Sequence, residues 1–328
     1  MSANPNGRAA KPRLLLSRRL PDAVEARAAR DYDAIPNRED VALDGAALAA
    51  RAAGCDGILV TAGDRLDSAA VAALPESVRI LATFSVGTDH IDLAAARARG
   101  IRVTNTPDVL TEATAEIALL LMLGAARRAH EGERLIRERA WTGWTPTQLL
   151  GVQLTGKRLA VLGMGRIGQA VAHRARAFGM EIHYSNRRRL PPAEEQGAVF
   201  HAEAEAMLPL ADFLTIHFPL TPETRHWLDA RRIALLPDGA IVVNTARGPV
   251  IEDAALIAAL RSGKLAAAGL DVFTGEPALD PAYPTLPNTF LLPHLGSATI
   301  ETRNAMGFRA LDNLDAFFRG QEPPDAVA

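Results

Sequence analysis

Three short stretches place side chains of complementary chemistry directly after apolar runs: Asn244-Thr245-Ala246-Arg247-Gly248, Asp271-Val272-Phe273-Thr274-Gly275-Glu276-Pro277 and Pro293-His294-Leu295-Gly296-Ser297. A guanidinium can grip a carboxylate through two parallel hydrogen bonds. An imidazole can give or take a proton near neutral pH, and a carboxylate on its other nitrogen fixes the tautomer and favours the charged ring. Arg247, Glu276 and His294 thus suit chemistry on a carbonyl that sits next to a carboxylate. Arg247 would hold the acid group and polarise the ketone, His294 would protonate its oxygen, and Glu276 would steady His294. Singly, each has an ordinary explanation: a surface charge, a turn residue before Pro277, a histidine satisfied beside Pro293. What joins them is their common place at strand ends, where doubly wound sheets bind ligands. His217 also follows a strand and precedes Pro219 with one residue between. It lacks a comparable set and reads as a structural residue or one lining a cofactor.

A partner for that chemistry is written upstream. Leu159-Ala160-Val161-Leu162 runs into Gly163-Met164-Gly165-Arg166-Ile167-Gly168, and a helical pattern continues to Phe178. In such a turn the first glycine makes the bend, the second lets a pyrophosphate approach the backbone, and the third packs helix on strand. The pyrophosphate would rest on the amides and positive dipole of the helix N-terminus. A second strand follows at residues 181–184, and after it the chain reads Ser185-Asn186-Arg187-Arg188-Arg189. A carboxylate expected about 20 residues past the loop would accept bonds from an NAD ribose. Here a neutral Asn186 and guanidiniums at Arg187 and Arg188 can bind and balance a 2′-phosphate instead. The cofactor read from these residues is NADP(H), with NAD(H) the weaker fit, and the chemistry is hydride transfer.

The elements that must carry these loops alternate. Strands are expected at residues 14–16, 57–61, 80–84 and 102–104, with a helix at 23–30 among them, and again at 213–216, 240–244, 266–270 and 290–292, with helices at 229–236 and 252–261. Short apolar strands alternating with helices predict α/β architecture with parallel sheets, the second of about six strands. Between the third and fourth strands lies Ser85-Val86-Gly87-Thr88-Asp89-His90-Ile91-Asp92, which offers free backbone amides to an anion. Residues 111–128 read as a long amphipathic connecting helix with Thr111 as N-cap and Glu112 in its first turn. The last helix, residues 298–318, is long enough to return to the first unit. Residues 1–11 are small and polar and read as disordered.

At 328 residues the chain can hold two domains with full cores. A net charge of −2 gives no sign of a general nucleic-acid or membrane-surface binder. Cys55 is the only cysteine, which excludes an internal disulfide and a cysteine-rich metal site; no metal is expected. The longest apolar run, residues 117–123, is far short of a membrane span, and no apolar signal segment opens the chain, so a cytoplasmic location is expected.

Together the glycine motif, the run from His217 through Pro219-Leu220-Thr221-Pro222-Glu223-Thr224, and the stretches 244–248, 269–277 and 293–297 resemble the D-isomer-specific 2-hydroxyacid dehydrogenase family, in its glyoxylate/hydroxypyruvate reductase branch. The resemblance covers nearly the whole chain and is less specific for substrate than for family. It implies two doubly wound parallel-sheet domains: a flavodoxin-like substrate domain from residues 1–106 and 297–328, and a Rossmann-type cofactor domain from 107–296. It implies that Arg247 binds substrate, that His294 is the acid/base and Glu276 its partner, and that the amides of Val86 and Gly87 take the substrate carboxylate. Arg166 and Ile167 would line the pyrophosphate, with Thr245, Ala246 and Asp271 bordering the nicotinamide end. Asn186 departs from the acidic residue of the NAD-using members. Alternatives within the fold are 2-ketogluconate or a phosphorylated hydroxy acid as substrate, or a dinucleotide-sensing, co-repressor-like binding protein; the complete Arg, Glu and His set speaks against the last.

Residues 131–156 carry Trp141 and Trp144 among glycines and a proline, too irregular for a core and too aromatic for a linker. Their apolar side chains need another surface. The expectation is a homodimer in which Trp141, in preference to Trp144, crosses to cap the partner's substrate site, as a tryptophan does in the resembling branch. The competing reading packs the tryptophan inside its own chain.

Overall fold

The computed structural model describes residues 11–328, so the polar stretch at the start of the chain lies outside the described residues except for Lys11. The chain divides into two units. One is built from both chain ends, through Leu110 and again from Ala298–Ala328, and the other is Thr111–Ser297.

In the first unit, β1 (Arg13–Leu16), β2 (Asp33–Ile35), β3 (Gly57–Thr61), β4 (Ile80–Phe84) and β5 (Arg102–Thr104) form an all-parallel sheet in the order β2-β1-β3-β4-β5. This is the flavodoxin-like order. The central strands are near-continuous runs of Leu, Ile and Val because both faces are covered. Edge strand β2 is short and only partly buried, which is why its sequence gave no apolar signal. One face is closed by the Ile300–Phe318 helix, whose N-cap Thr299 accepts a bond from the Thr302 amide at 3.0 Å. Its Ala310, Leu311 and Leu314 are buried with Leu14, Leu16, Leu59 and Ile80. Burial of each such leucine is worth on the order of 1.5–3 kcal/mol, so packing returns the C-terminal segment to this unit.

The second unit holds β6 (Arg158–Leu162), β7 (Glu181–Ser185), β8 (Val199–Phe200), β9 (Phe213–Ile216), β10 (Ala240–Asn244), β11 (Leu265–Leu270) and β12 (Thr289–Leu291). All are parallel, in the order β12-β11-β10-β9-β6-β7-β8. Counted within the unit this is 3-2-1-4-5-6-7, the Rossmann order with one strand added, and the order reverses between β6 and β9. The sheet has seven strands where about six were expected, because the two-residue β8 is too short to leave a periodicity.

Two helices differ from the sequence reading. The Thr111–Ala126 helix begins at Thr111, which is therefore its first residue and not its cap. Its buried side is broader than an amphipathic stripe: ten of its sixteen residues are buried, and Glu112, Glu116 and Leu120, four positions apart, keep one narrow line to solvent. Close contacts explain the small residues. A Cβ at Gly124 would lie 2.6 Å from the Phe290 ring, and one at Gly269 of β11 would lie 2.8 Å from the Leu121 carbonyl oxygen. Residues 131–156, read as irregular, begin inside a regular helix, Ala129–Arg137, that has no buried residue.

Candidate active site

The three candidate residues stand on loops at the carboxyl ends of β10, β11 and β12. Asn244, 1% exposed, shapes the first loop: its Nδ2 donates to the Arg247 carbonyl at 2.9 Å and its Oδ1 accepts from the Ala246 amide at 3.0 Å. Side chain-to-backbone bonds of this kind fix a turn that no ladder supports. Gly248 then lets two loops touch, since a Cβ there would sit 1.9 Å from the Phe273 carbonyl carbon. No other residue fits, and the contact holds the Arg247 loop against the Glu276 loop.

His294 Nδ1 lies 2.7 Å from Glu276 Oε2. Burial pushes the Glu276 carboxyl upward, but His294, the Phe273 amide (2.7 Å from Oε1) and the charge of Arg247 outweigh it, and the net shift is below the ordinary glutamate range. An ionised Glu276 can only accept, so His294 carries its hydrogen on Nδ1 and presents Nε2 to a reactant. Arg247 is near enough for its charge to act on Glu276, and its Nη1 donates to the Ala246 carbonyl at 2.8 Å.

His294 occupies the left-handed region, with φ of 55°, a conformation that costs a β-carbon residue on the order of 1–3 kcal/mol. Asp271 holds it there. The His294 amide donates to the Asp271 carbonyl at 2.9 Å, and the Asp271 carboxylate accepts from the amides of Leu295 (2.6 Å) and Gly296 (2.8 Å). Thr114 Oγ1 donates to the Gly296 carbonyl at 3.1 Å. Asp271 is 1% exposed, and burial raises its pKa. Asp271, which was expected to border the nicotinamide, has each carboxylate oxygen accepting from an amide of the His294 turn, because a buried carboxylate needs several donors. The clamp's only sequence signal was an Asp at a strand end before an irregular loop.

Around the glycine loop the geometry fits a dinucleotide. Gly163 has φ of 91°, and a Cβ there would lie 2.6 Å from the Phe218 amide nitrogen. A Cβ on Gly168 would strike the Gly163 carbonyl oxygen at 2.3 Å, whereas Gly165 faces open space. That opening is where a pyrophosphate can reach the backbone. No side chain caps the Arg166–Ala177 helix that follows, with Arg166 and Ile167 in its first turn. Thr245 Oγ1 and Thr215 Oγ1 sit 3.4 and 2.8 Å from the two nitrogens of His217. Burial pushes the His217 pKa down to about 3, so this ring is neutral at physiological pH and unsuited to donating a proton as a charged acid.

The basic turn is sorted by the structure into two kinds of residue. Asn186 was expected to hydrogen-bond a 2′-phosphate. Instead it brackets the Met164 residue, Oδ1 accepting from its amide at 2.6 Å and Nδ2 donating to its carbonyl at 3.4 Å. It anchors the glycine loop and has one Nδ2 hydrogen left. Arg189 is taken by Glu195 at 2.7 and 3.0 Å, and the same carboxylate accepts from Tyr184 Oη at 2.6 Å. Arg187 and Arg188 are exposed and have no side-chain partner among the described residues.

In the first unit, the loop after β4 leaves the amides of Val86 and Gly87 without an acceptor among the described residues. In the second, Trp141 is 51% and Trp144 77% exposed, so neither is packed inside its own chain. Trp141 Nε1 donates to Gln148 Oε1 at 3.3 Å. Among the described residues no helix is long and apolar enough to cross a membrane, and no group of three or more His, Cys, Asp or Glu is placed to hold a metal.

Comparison with known proteins agrees with this geometry. Residues 119–296 match the NAD binding domain of the D-isomer specific 2-hydroxyacid dehydrogenases. The chain is 43% identical to a glycerate dehydrogenase of Hyphomicrobium methylovorum, over 97% of this chain and 99% of that protein. It is 39% identical to a glyoxylate reductase of Thermococcus litoralis, over 97% of each. A solved NADPH-dependent glyoxylate/hydroxypyruvate reductase from Sinorhizobium meliloti, in complex with NADP and malonate, superposes with a TM-score of 0.87 at 35% identity, over 97% of both chains. The chain belongs to the D-isomer-specific 2-hydroxyacid dehydrogenase family, in its glyoxylate/hydroxypyruvate reductase branch. It is an oxidoreductase that works with a nicotinamide dinucleotide.

Proposed function

We propose that the chain is an NADPH-dependent reductase of small 2-oxo acids, glyoxylate and hydroxypyruvate first. The observation that carries this reading is the 2.7 Å bond between His294 Nδ1 and Glu276 Oε2 beside Arg247. A bound reduced dinucleotide supplies the hydride. The chain's own residues do the rest: Arg247 grips the carboxylate and polarises the ketone, and His294 Nε2 gives its proton to the keto oxygen; in the first unit the amides of Val86 and Gly87 are donors suited to a substrate carboxylate. Glu276, kept ionised, stabilises the charged ring that donates.

The preference for NADPH rests on Arg187 and Arg188, exposed after β7 where a ribose-reading carboxylate is absent, and is supported by the NADP-bound relative. Gly163, Gly165 and Gly168 shape the pyrophosphate turn, which Arg166 and Ile167 line, and Thr245 and Ala246 border the nicotinamide. The enzyme is proposed to be a homodimer in which Trp141, in preference to Trp144, caps the partner's site and restricts it to small acids. Exposed apolar surface at Ile136, Trp141, Trp144 and Leu150 supports an interface there. The test is NADPH and NADH oxidation with glyoxylate, hydroxypyruvate, pyruvate, 2-ketogluconate and phosphohydroxypyruvate. Highest kcat/KM with NADPH and the first two acids is expected; a higher value with 2-ketogluconate or phosphohydroxypyruvate overturns the substrate reading.

A further inference from the structure

The loop after β4 is held by a chain of hydrogen bonds whose direction is forced. Ser85 Oγ lies 2.5 Å from the Gly87 carbonyl oxygen. A carbonyl only accepts and a hydroxyl has one hydrogen, so Ser85 spends its hydrogen there. Thr83 Oγ1, 3.0 Å from Ser85 Oγ, must then donate in that pair. With Thr83's hydrogen used, His90 Nε2 must donate to Thr83 Oγ1 across 2.9 Å. The order His90, Thr83, Ser85, Gly87 carbonyl is fixed, in surroundings where Thr83 is 0% and Ser85 6% exposed. Low local dielectric strengthens each link and lets it polarise the next.

This chain anchors one of three consecutive carbonyls. Ser85 O accepts from the Thr106 amide at 2.9 Å, Val86 O from Asn105 Nδ2 at 2.8 Å, and Gly87 O from Ser85 Oγ. The peptides concerned are trans, and in a planar trans peptide the carbonyl and the following N–H point in opposite directions. Anchoring these carbonyls therefore aims the amides of Val86, Gly87 and Thr88 away from their anchors. None of the three donates to an acceptor among the described residues. Packing alone would be served by valine at position 83, without burying hydroxyls that need partners.

We propose that Asn105, Ser85, Thr83 and His90 are positioning residues for the substrate's carboxylate: they set the aim of the Gly87 and Thr88 amides, and Thr88 N–H is a third donor beside those of Val86 and Gly87. This rests on the reading that the loop receives that carboxylate. Thr83→Val, nearly isosteric, breaks the chain at its middle, and Thr83→Ser restores a hydroxyl. In the full-length enzyme Thr83→Val should raise KM for glyoxylate about three- to tenfold, the net worth of one hydrogen bond, with kcat changed less and KM for NADPH unmoved. The inhibition constant of oxalate, a two-carbon dicarboxylate, should rise by the same factor, and Thr83→Ser should recover most of both. If Thr83→Val does not fold, Asn105→Ala, which frees only the Val86 carbonyl, should show the same split. An unchanged glyoxylate KM in whichever of these two variants folds overturns the proposal. So does an equal fall in kcat and NADPH affinity, with a lower Tm, that serine does not rescue. Wild-type turnover of 2-oxo acids without competition by oxalate would instead remove the carboxylate reading beneath it, and the proposal with it.

Discussion

The strand-end loops of the second unit and the arm after the Ala129–Arg137 helix are both irregular backbone, yet they are held in opposite ways. Asn244, Gly248, Asp271 and Thr114 tie the loops of Arg247, Glu276 and His294 to the sheet and to one another within hydrogen-bond distance. The arm has Trp144 at 77% exposure and, at Trp141, one side-chain bond of 3.3 Å to Gln148. A side chain that must meet a reacting atom needs its freedom removed in advance. One that only limits the size of a site can wait for a partner to place it. The difference teaches which substitutions should disturb chemistry and which only selectivity.

The sharpest way to break that contrast is at His294. His294→Ala should lower kcat by a factor of about 10² to 10⁴, the usual share of general acid catalysis, with NADPH binding by fluorescence titration nearly unchanged. Near wild-type turnover would end the assignment. Next comes the cofactor turn. Charge-assisted bonds are worth about 1.5–3 kcal/mol each, so Arg187→Ala should cut kcat/KM with NADPH by about 10- to 150-fold and leave NADH untouched. Arg189→Ala should hardly change the ratio between cofactors, since Glu195 already engages that guanidinium. A larger loss from Arg189 than from Arg187 would reverse the division of the turn.

The arm should respond more mildly. Trp141→Ala is expected to raise kcat/KM for bulkier 2-oxo acids relative to glyoxylate by about tenfold, within the range for a small change in an apolar wall, while His294-dependent turnover persists. Selectivity that stays as in the wild type, or a fully active monomer in sedimentation, would count against the crossing tryptophan. The smallest effect concerns pH. Because the folded pKa of Glu276 is lowered, its pairing adds stability above the unfolded glutamate value of about 4.3 and loses it as pH falls through the lowered folded value. Thermal melts of wild type and Glu276→Gln should therefore differ most near neutrality and converge at acid pH, by less than about 1 kcal/mol for a partly exposed pair. A gap that widens on acidification would contradict the sign.

Much of this was legible beforehand because it is written in local pattern. Buried parallel strands such as residues 57–61, 80–84 and 213–216 show short apolar runs broken only by a threonine, and their bounds agree with the structure. The glycine turn can be read from spacing, because Gly163 and Gly168 answer steric demands within a few residues or one strand away, while Gly165 leaves the backbone open. Illegible were β2 and β8, too short for a period, and the breadth of the buried side of the Thr111–Ala126 helix, which depends on what surrounds it. Asn186 was legible only in part for a similar reason: its type suits a phosphate, but two of its side-chain bonds go to Met164.

The sequence by itself determined the alternation of strands and helices, the phosphate turn, and the chemical types gathered at strand ends, since composition and spacing act locally. Only tertiary structure decided which groups meet. It joined His294 to Glu276 across 18 positions of chain, set Asp271 beneath the strained His294 turn, paired Arg189 with Glu195 and tied Asn186 to Met164. A hydrogen bond requires partners within about 3 Å, and for residues far apart in the chain that distance is fixed by how the elements pack.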